Sequence, residues 1–467
     1  MYILTYPKEN FDELMIDKNI ILRLIDKHSA LTDKLKKNMS YYLGEHSIKS
    51  RKMTQGVPNN KVVSNHAKDI TDTATGYFMG NAISYKNTAE ADIENLLVAF
   101  DEALVDDTDS DNALNMSVYG VAYEFVYVDS GTTQLKTKTL EPEHTFIVVD
   151  SSIEEKELFA CYYYLSKDDI NDKYCYIAYI MTEHYTYRLI IENNMYIDQQ
   201  TIETPMPHNM GEVPVIMYNN NKYQIGDFEQ QIPLIDAYNK LTSDRVNDKE
   251  QFIDAILALY GVSLGDGEEG VQASKRLREL KLLELPDDAK AEYLTRQLDE
   301  NGAEILRKAL KEDIYTFSHV PNLTDENFAG NSSGVAMEYK LLGLEMITKT
   351  KERYYRKGLR KRIRLFSNFL GLKNVYIEAS SIVPVFSRSL PKNLLELAQV
   401  VGNLKGTVSQ KTLLTLLPFV EDVDNEIKEV EEEQSQGITE QNVILKKDEV
   451  VNNSPLSEHD SSVINED

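Results

Sequence analysis

The chain has 467 residues, 42% of them hydrophobic, and its 76 acidic against 50 basic side chains give a formal charge of −26. That length suits roughly two to four domains with real cores, and the acidic balance argues against a surface that grips DNA by setting lysine and arginine against phosphates. Two cysteines, Cys161 and Cys175, are too few for a disulfide framework and predict synthesis in a reducing cytoplasm. The chain lacks a basic leader and any run of eighteen apolar residues, which predicts a protein neither secreted nor membrane-spanning.

In chain order, the first 80 residues read as helical, with Phe11, Leu14, Ile21, Leu22 and Leu24 as a loose apolar stripe before a polar break at Gly56-Val57-Pro58-Asn59-Asn60. A second helix is predicted over about 65–79, stopped by Gly80-Asn81. From 117 to 218 the pattern changes to period two. Val118, Tyr119, Val121, Tyr123, Phe125 and Tyr127, and later Tyr162, Tyr164, Tyr176 and Tyr179, mark strands separated by turns such as Asp129-Ser130-Gly131 and Glu192-Asn193-Asn194. The tyrosines read as strand packing with a polar tip at the surface rather than as a stacking platform for nucleic acid.

Residues 228–259 read as one long helix with Pro233 in its early turns, where proline is tolerated. Its stretch 242–251 is almost wholly polar, so the helix either bridges two bodies or packs against copies of itself. A small insert follows, with strands at 259–264 and 291–294, an acidic glycine turn at 265–270 and a charged segment at 275–285. The turn, GDGEEG, formally fits a phosphate-binding G-x-G-x-x-G, but its three acids repel phosphate and the strand, turn and helix context is missing.

A helix over 301–317 leads back, and a polar loop then precedes a long helix at about 335–370, interrupted only by Gly343 and Gly358. On that helix Lys349, Arg353, Arg356, Arg360 and Arg364 recur at spacings of four, three, four and four and form one stripe. Tyr355, Leu359, Ile363, Phe366 and Leu370 form another about 100° away. The basic stripe reads as a solvated face paired with the protein's own acids, or as a contact to DNA or to an acidic neighbouring subunit. Short amphipathic helices follow around Gly406 and Pro418. From Glu421 onward fifteen acidic and three basic residues give −12, leaving −14 on the preceding 420 residues. After Glu433 the composition is that of a disordered segment.

Within the polar loop, Gly330-Asn331-Ser332-Ser333-Gly334 fits the G-x-S-x-G of a serine nucleophile. The approach, 322–329, is too polar for a buried strand, and the one histidine downstream, His459, sits among Glu458, Asp460 and Ser461. A flexible loop is the better reading. The chain also has no G-x-x-x-x-G-K-[ST] loop, no H-E-x-x-H pair and no cysteine-rich metal site, so neither enzyme nor cofactor is expected.

The order of long helix, small strand insert, returning helix, glycine- and asparagine-rich loop and long helix resembles the phage portal proteins of the SPP1-like family, over nearly the whole chain to about Glu433. The cues are YYLGEHSI at 41–48, NNKVVSNHAK at 59–68, GYFMGNAI at 76–83, GEVPVI at 211–216 with Asn219 and Asn220, and SSGVA at 332–336. The resemblance implies an α+β portal fold. Its mixed wing would span 1–227 and 335–380, its stem helices 228–259 and 301–318, and its small α/β clip 260–300. A tunnel loop at 319–334, a helical crown at 381–433 and a disordered acidic tail at 434–467 complete it.

It further implies a homo-oligomeric ring of about twelve at one capsid vertex of the virion, assembled in the host cytoplasm with major capsid and scaffolding proteins and without a membrane. Double-stranded DNA would pass through without sequence specificity, driven by the terminase large subunit, with a head-completion or adaptor protein docking later at the same end. On this reading Asn322, Asp325, Glu326, Asn327, Asn331, Ser332 and Ser333 belong to the tunnel loop. The clip would offer Arg276, Arg278, Lys281, Glu284, Asp287 and Asp288 to its partners. The alternatives are a serine hydrolase built on Ser332 and a scaffold that forms no ring.

Overall fold

The structure is a computed structural model. It describes residues 3–55, 57–89, 91–168, 173–192, 201–202, 204–253, 256–260, 267–268, 270–272, 275, 290–294, 300–323, 334–388, 394–417, 420, 423 and 426–430. Packing divides the chain into two compact units, residues 1–389 and 390–467.

The first unit opens with strand β1 (Ile3–Thr5) and helices α1 (Lys18–Ser29), α2 (Asp33–Tyr42) and α3 (His66–Met79). Side-chain caps start two of these helices. Asp17 accepts from the Asn19 amide at 2.9 Å, and Asn65 accepts from Lys68 at 3.0 Å, so each satisfies a donor the helix cannot. Strand β2 (Ser84–Asn87) and helices α4 (Glu94–Glu102) and α5 (Val105–Tyr119) follow. Helix α5 ends on Gly120 at φ +83, where a Cβ would lie 2.3 Å from the Gln224 carbonyl oxygen. Only glycine fits there on both counts.

Strands β3 (Val121–Val128), β4 (Leu135–Leu140), β5 (Thr145–Val149), β6 (Glu157–Asp168), β7 (Lys173–Met181), β8 (Tyr185–Glu192), β9 (Thr201–Ile202), β10 (Met206–Pro207) and β11 (Val215–Asn219) make two sheets among the described residues. One runs β1-β5-β6-β7-β8-β10 with β9 on β8, and β1 joins it parallel to β5. The other runs β11-β3-β4. The first sheet buries Phe146, Phe159 and Tyr187 against Ile21 and Leu24 of α1. Both cysteines are free thiols on β6 and β7, and burial pushes the Cys161 thiol well up.

Beyond the sheets run helix α6 (Ile232–Ile253), the antiparallel pair β12 (Ile256–Tyr260) and β13 (Lys290–Leu294), and helix α7 (Glu300–Ser318) packed on α6. Helix α8 (Gly334–Leu372) continues unbroken through Gly343 and Gly358, and strand β14 (Ile382–Val385) pairs with β2. The apolar stripe Tyr355, Leu359, Ile363, Phe366 and Leu370 is buried with Phe78, Phe100, Met116 and Tyr218 in the second core. Gly358 has a packing reason, because a Cβ there would meet the Tyr218 ring at 2.4 Å. The second unit contains α9 (Leu394–Leu404) and α10 (Gln410–Thr415), the latter capped by Ser409.

Four expectations from the sequence need correction. Val118 and Tyr119 end helix α5 instead of opening a strand, since the glycine stop falls after them. The helix expected over 228–259 is α6, 232–253, preceded by a short 3-10 turn, and the strand expected at 259 begins at Ile256. An apolar run such as Phe252 to Leu259 fits helix and strand alike, and pairing with 290–294 decides it. The first 80 residues include β1, a strand held by a partner far along the chain. Finally, the long helix expected to be interrupted at Gly343 and Gly358 runs through both.

Candidate functional site

Helix α8 carries its cations in two classes. Lys351, Lys361 and Arg362 are buried and paired. Lys351 meets Asp227, which also accepts from Ser117 Oγ at 2.6 Å and Asn220 Nδ2 at 2.9 Å. Lys361 meets Glu157 and donates to the Val215 carbonyl oxygen at 2.7 Å. Arg362 is fully buried and grips two acids at once. Its Nη1 and Nη2 reach Asp109 at 3.0 and 2.5 Å, and its Nε and Nη2 reach Glu124 at 2.9 and 2.6 Å. Tyr355 donates to Asp109, and Tyr218 donates to Glu124 at 2.6 Å. Burial opposes the charge on Arg362, but Asp109 and then Glu124 outweigh it and hold the guanidinium firmly protonated. These cations tie α8 to the sheets and to α5.

The other class is the basic stripe. Its two ends are paired within the chain, Lys349 with Glu345 at 3.4 Å and Arg364 with Glu212 through two bonds of 2.7 and 2.8 Å. Its middle is different. Arg353, Arg356 and Arg360, with Lys357 beside them, form no ion pair among the described residues, and with Lys349 and Glu352 they line an open groove of about 300 Å³. The acids nearest at hand are already taken, since Arg388 binds Glu345 at 2.7 Å and also Glu352. Burial raises the Glu345 carboxyl, but the Arg388 and Tyr77 hydrogen bonds outweigh it and hold the carboxyl below its ordinary value. Arg356 lies 5.7 Å over the Phe386 ring, and its Nε is shielded from solvent without a hydrogen-bond partner. The groove can therefore receive carboxylates or other anions.

A second device holds α6. Backbone amides of Asn60, Val62 and Ser64 donate to Asn247 Oδ1, Ser243 Oγ and Asn239 Oδ1 at 2.7, 2.9 and 2.8 Å. Two residues of extended chain advance about 6.6 Å and four residues of helix about 6 Å, so the two repeats stay in register. This accounts for part of the polar middle of α6. Further along, Arg245 joins Glu300 at 2.9 Å and Glu304 at 2.8 Å, fastening α6 to α7.

Most of the expected loop and insert sites lie outside the described residues. These are Asp325, Glu326, Asn327, Asn331, Ser332 and Ser333, together with Arg276, Arg278, Lys281, Glu284, Asp287 and Asp288. Asn322 is described and half-buried at the loop's start. That start is pinned: His319 takes a left-handed φ of 59, Val320 is buried, and a Cβ at Gly343 would stand 3.3 Å from the His319 carbonyl oxygen. Sequence reasoning did not single out Asp109, Glu124 or Arg362. The available signal was the phase of Arg362, which falls inside the apolar stripe between Leu359 and Phe366.

The family model for phage portal proteins of the SPP1 Gp6-like type matches residues 21–440. The chain belongs to this family. With membership comes the family's role, the portal ring at one capsid vertex of a phage. The portal protein of Bacillus phage SPP1 is 24% identical over 447 residues, covering 90% of this chain and 87% of that protein. The portal protein of Clostridium phage phiCD119 is 25% identical over 280 residues, 58% of this chain and 60% of its own length. Among solved structures, a chain in the neck of an empty gene transfer agent particle matches with a TM-score of 0.44 at 10% identity, covering 75% of this chain and 89% of that one. A chain in the native particle's neck, computed with C12 symmetry, gives 0.45 at 9% identity with the same coverage.

Proposed function

We propose that this portal-family chain assembles into a ring of about twelve copies through which double-stranded DNA enters the capsid and later leaves it. The observation that carries the reading is the family match across 420 of the 467 residues, supported by alignment with almost the full length of the SPP1 portal protein. Helices α6 and α7 form the stem, the β12-β13 pair belongs to the clip, and residues 319–334 form the tunnel loop. The terminase large subunit and then a head-completion or adaptor protein dock at the clip, where Arg276, Arg278, Lys281, Glu284, Asp287 and Asp288 are the contacts. Major capsid and scaffolding proteins surround the ring in the virion, which is assembled in the host cytoplasm.

The chain's part in transport is passive, with the energy supplied by the terminase. Glycines give the tunnel loop backbone freedom. Asn327, Asn331, Ser332 and Ser333 offer weak hydrogen bonds to a sliding duplex, while Asp325 and Glu326 repel phosphate and prevent a tight grip. No observation favours a hydrolase built on Ser332 or a scaffold without a ring.

Negative-stain electron microscopy of the purified chain, with rotational class averages, is expected to give closed rings with a central channel. Small particles alone, at every protein and salt concentration tried, would overturn the reading.

A further inference from the structure

The groove on α8 lacks its counter-charge, and the same chain carries an unmatched acidic surface of similar spacing. Asp101 and Glu102 at the end of α4, and Asp106, Asp107 and Asp111 on α5, are exposed and form no ion pair among the described residues. They crowd one another. Burial and then Asp109 raise the Asp106 carboxyl, and burial and then Asp107 raise that of Asp111.

The two surfaces lie on opposite flanks of one packed body. Asp109 turns inward from α5 and is held by Arg362 and Tyr355 of α8. Asp107 and Asp111 stand two residues to either side of Asp109, about 200° round the helix, and so face away from α8. On α8, Arg353, Lys357 and Arg360 face away from the buried Tyr355, Leu359 and Arg362. One body thus presents cations on one side and carboxylates on the other. A cyclic assembly needs such an arrangement, because each interface joins one surface to a different surface of the next copy. The spacing also agrees, since Arg356 and Arg360, like Asp107 and Asp111, are four residues apart, about 6 Å along a helix.

We infer that the groove lined by Arg353, Arg356, Lys357 and Arg360 receives the α4-α5 acidic ridge of a neighbouring copy, and that this contact sets the head-to-tail direction of the ring. The inference rests on the ring reading above. A second copy is the favoured occupant over nucleic acid because the matching charges lie on the same chain in matching register. The chain as a whole is acidic, at −26, which disfavours approach of a polyanion.

Two charge-reversed chains test it. Arg353→Glu, Lys357→Glu and Arg360→Glu take the groove's four cations from +4 to −2 and make both flanks acidic, and Asp101→Lys, Asp107→Lys and Asp111→Lys take the five-acid ridge from −5 to +1 and make both flanks basic. Each chain alone is expected to lose rings at concentrations where the wild type forms them, as read by native mass spectrometry and electron microscopy. An equal mixture is expected to recover rings in which the two chains alternate, which chains unable to fold could not do. Circular dichroism and thermal melting check each variant separately.

Rings from either variant alone at wild-type yield would overturn the inference. So would the absence of mixed rings from two folded variants. Loss of DNA retention by the groove variant with its rings intact would instead assign the groove to phosphate. If the wild type itself forms no rings, the ring reading fails first, and the two failures stay distinct.

Discussion

Arg362 is the residue on which the packing of α8 against α5 and the β11-β3-β4 sheet turns. It stands between two buried carboxylates, Asp109 and Glu124, with forked contacts to both, and two buried tyrosines complete the acids' hydrogen bonding. Such a cluster is not retained for raw stability, since apolar residues of similar volume often replace a buried ion group without loss. Removing one partner is a different matter, because it strands the other charges without water. Arg362→Met leaves two carboxylates facing each other in the core and is expected to cost about 3–5 kcal/mol, read from the shift in urea midpoint at unchanged slope. Arg362→Lys keeps the charge but loses the fork, so its loss should be intermediate. A loss below about 1 kcal/mol for the methionine variant, the range of exposed pairs, would contradict the burial of this cluster.

Among the elements, α6 shows why a polar helix can be stable without an apolar stripe along its length. The hydrogen bonds from Asn60, Val62 and Ser64 replace packing by satisfying an extended segment whose amides have no strand to pair with. Asn247→Ala removes the acceptor for the Asn60 backbone and side-chain amides together. It is expected to lower stability by about 1 kcal/mol, the net worth of a partly buried hydrogen bond, and to speed amide exchange at Asn60. Unchanged exchange there would mean that the segment is held by something else.

Both faces of α8 were legible in the sequence because its 3.6-residue period repeats over many turns. The α6 zipper was not legible, because its partners lie 175–187 residues apart and each side looks polar by itself. For the same reason the basic stripe could be found but not fully divided. Glu345, four residues before Lys349 on the same helix, could be paired from spacing alone, whereas Glu212 lies 152 residues from Arg364 and only the fold brings them together.

At the scale of the whole molecule the governing quantity is charge, and it bears on the proposed passage of DNA through the ring. The body before Glu421 carries −14, and the following 47 residues another −12. Affinity for duplex DNA comes from cations that displace condensed counter-ions, and it falls steeply as salt rises. Here Lys351, Lys361 and Arg362 are spent in the core, Arg364 is spent on Glu212, and the groove's free cations are assigned to the next copy's acids. Few cations of α8 remain for phosphate among the described residues. Assembled rings are therefore expected to retain no duplex in a gel-shift or filter-binding assay at about 0.15 M salt, where exposed charges are screened beyond roughly 8 Å. At low salt any residual binding should be weak and indifferent to sequence. Tight retention at 0.15 M salt, with an affinity that drops as several phosphates' worth of counter-ion, would mean that the stripe is open to DNA. That result would argue against passive conduction and against the proposed subunit contact together, since both depend on the same four cations being occupied by carboxylates.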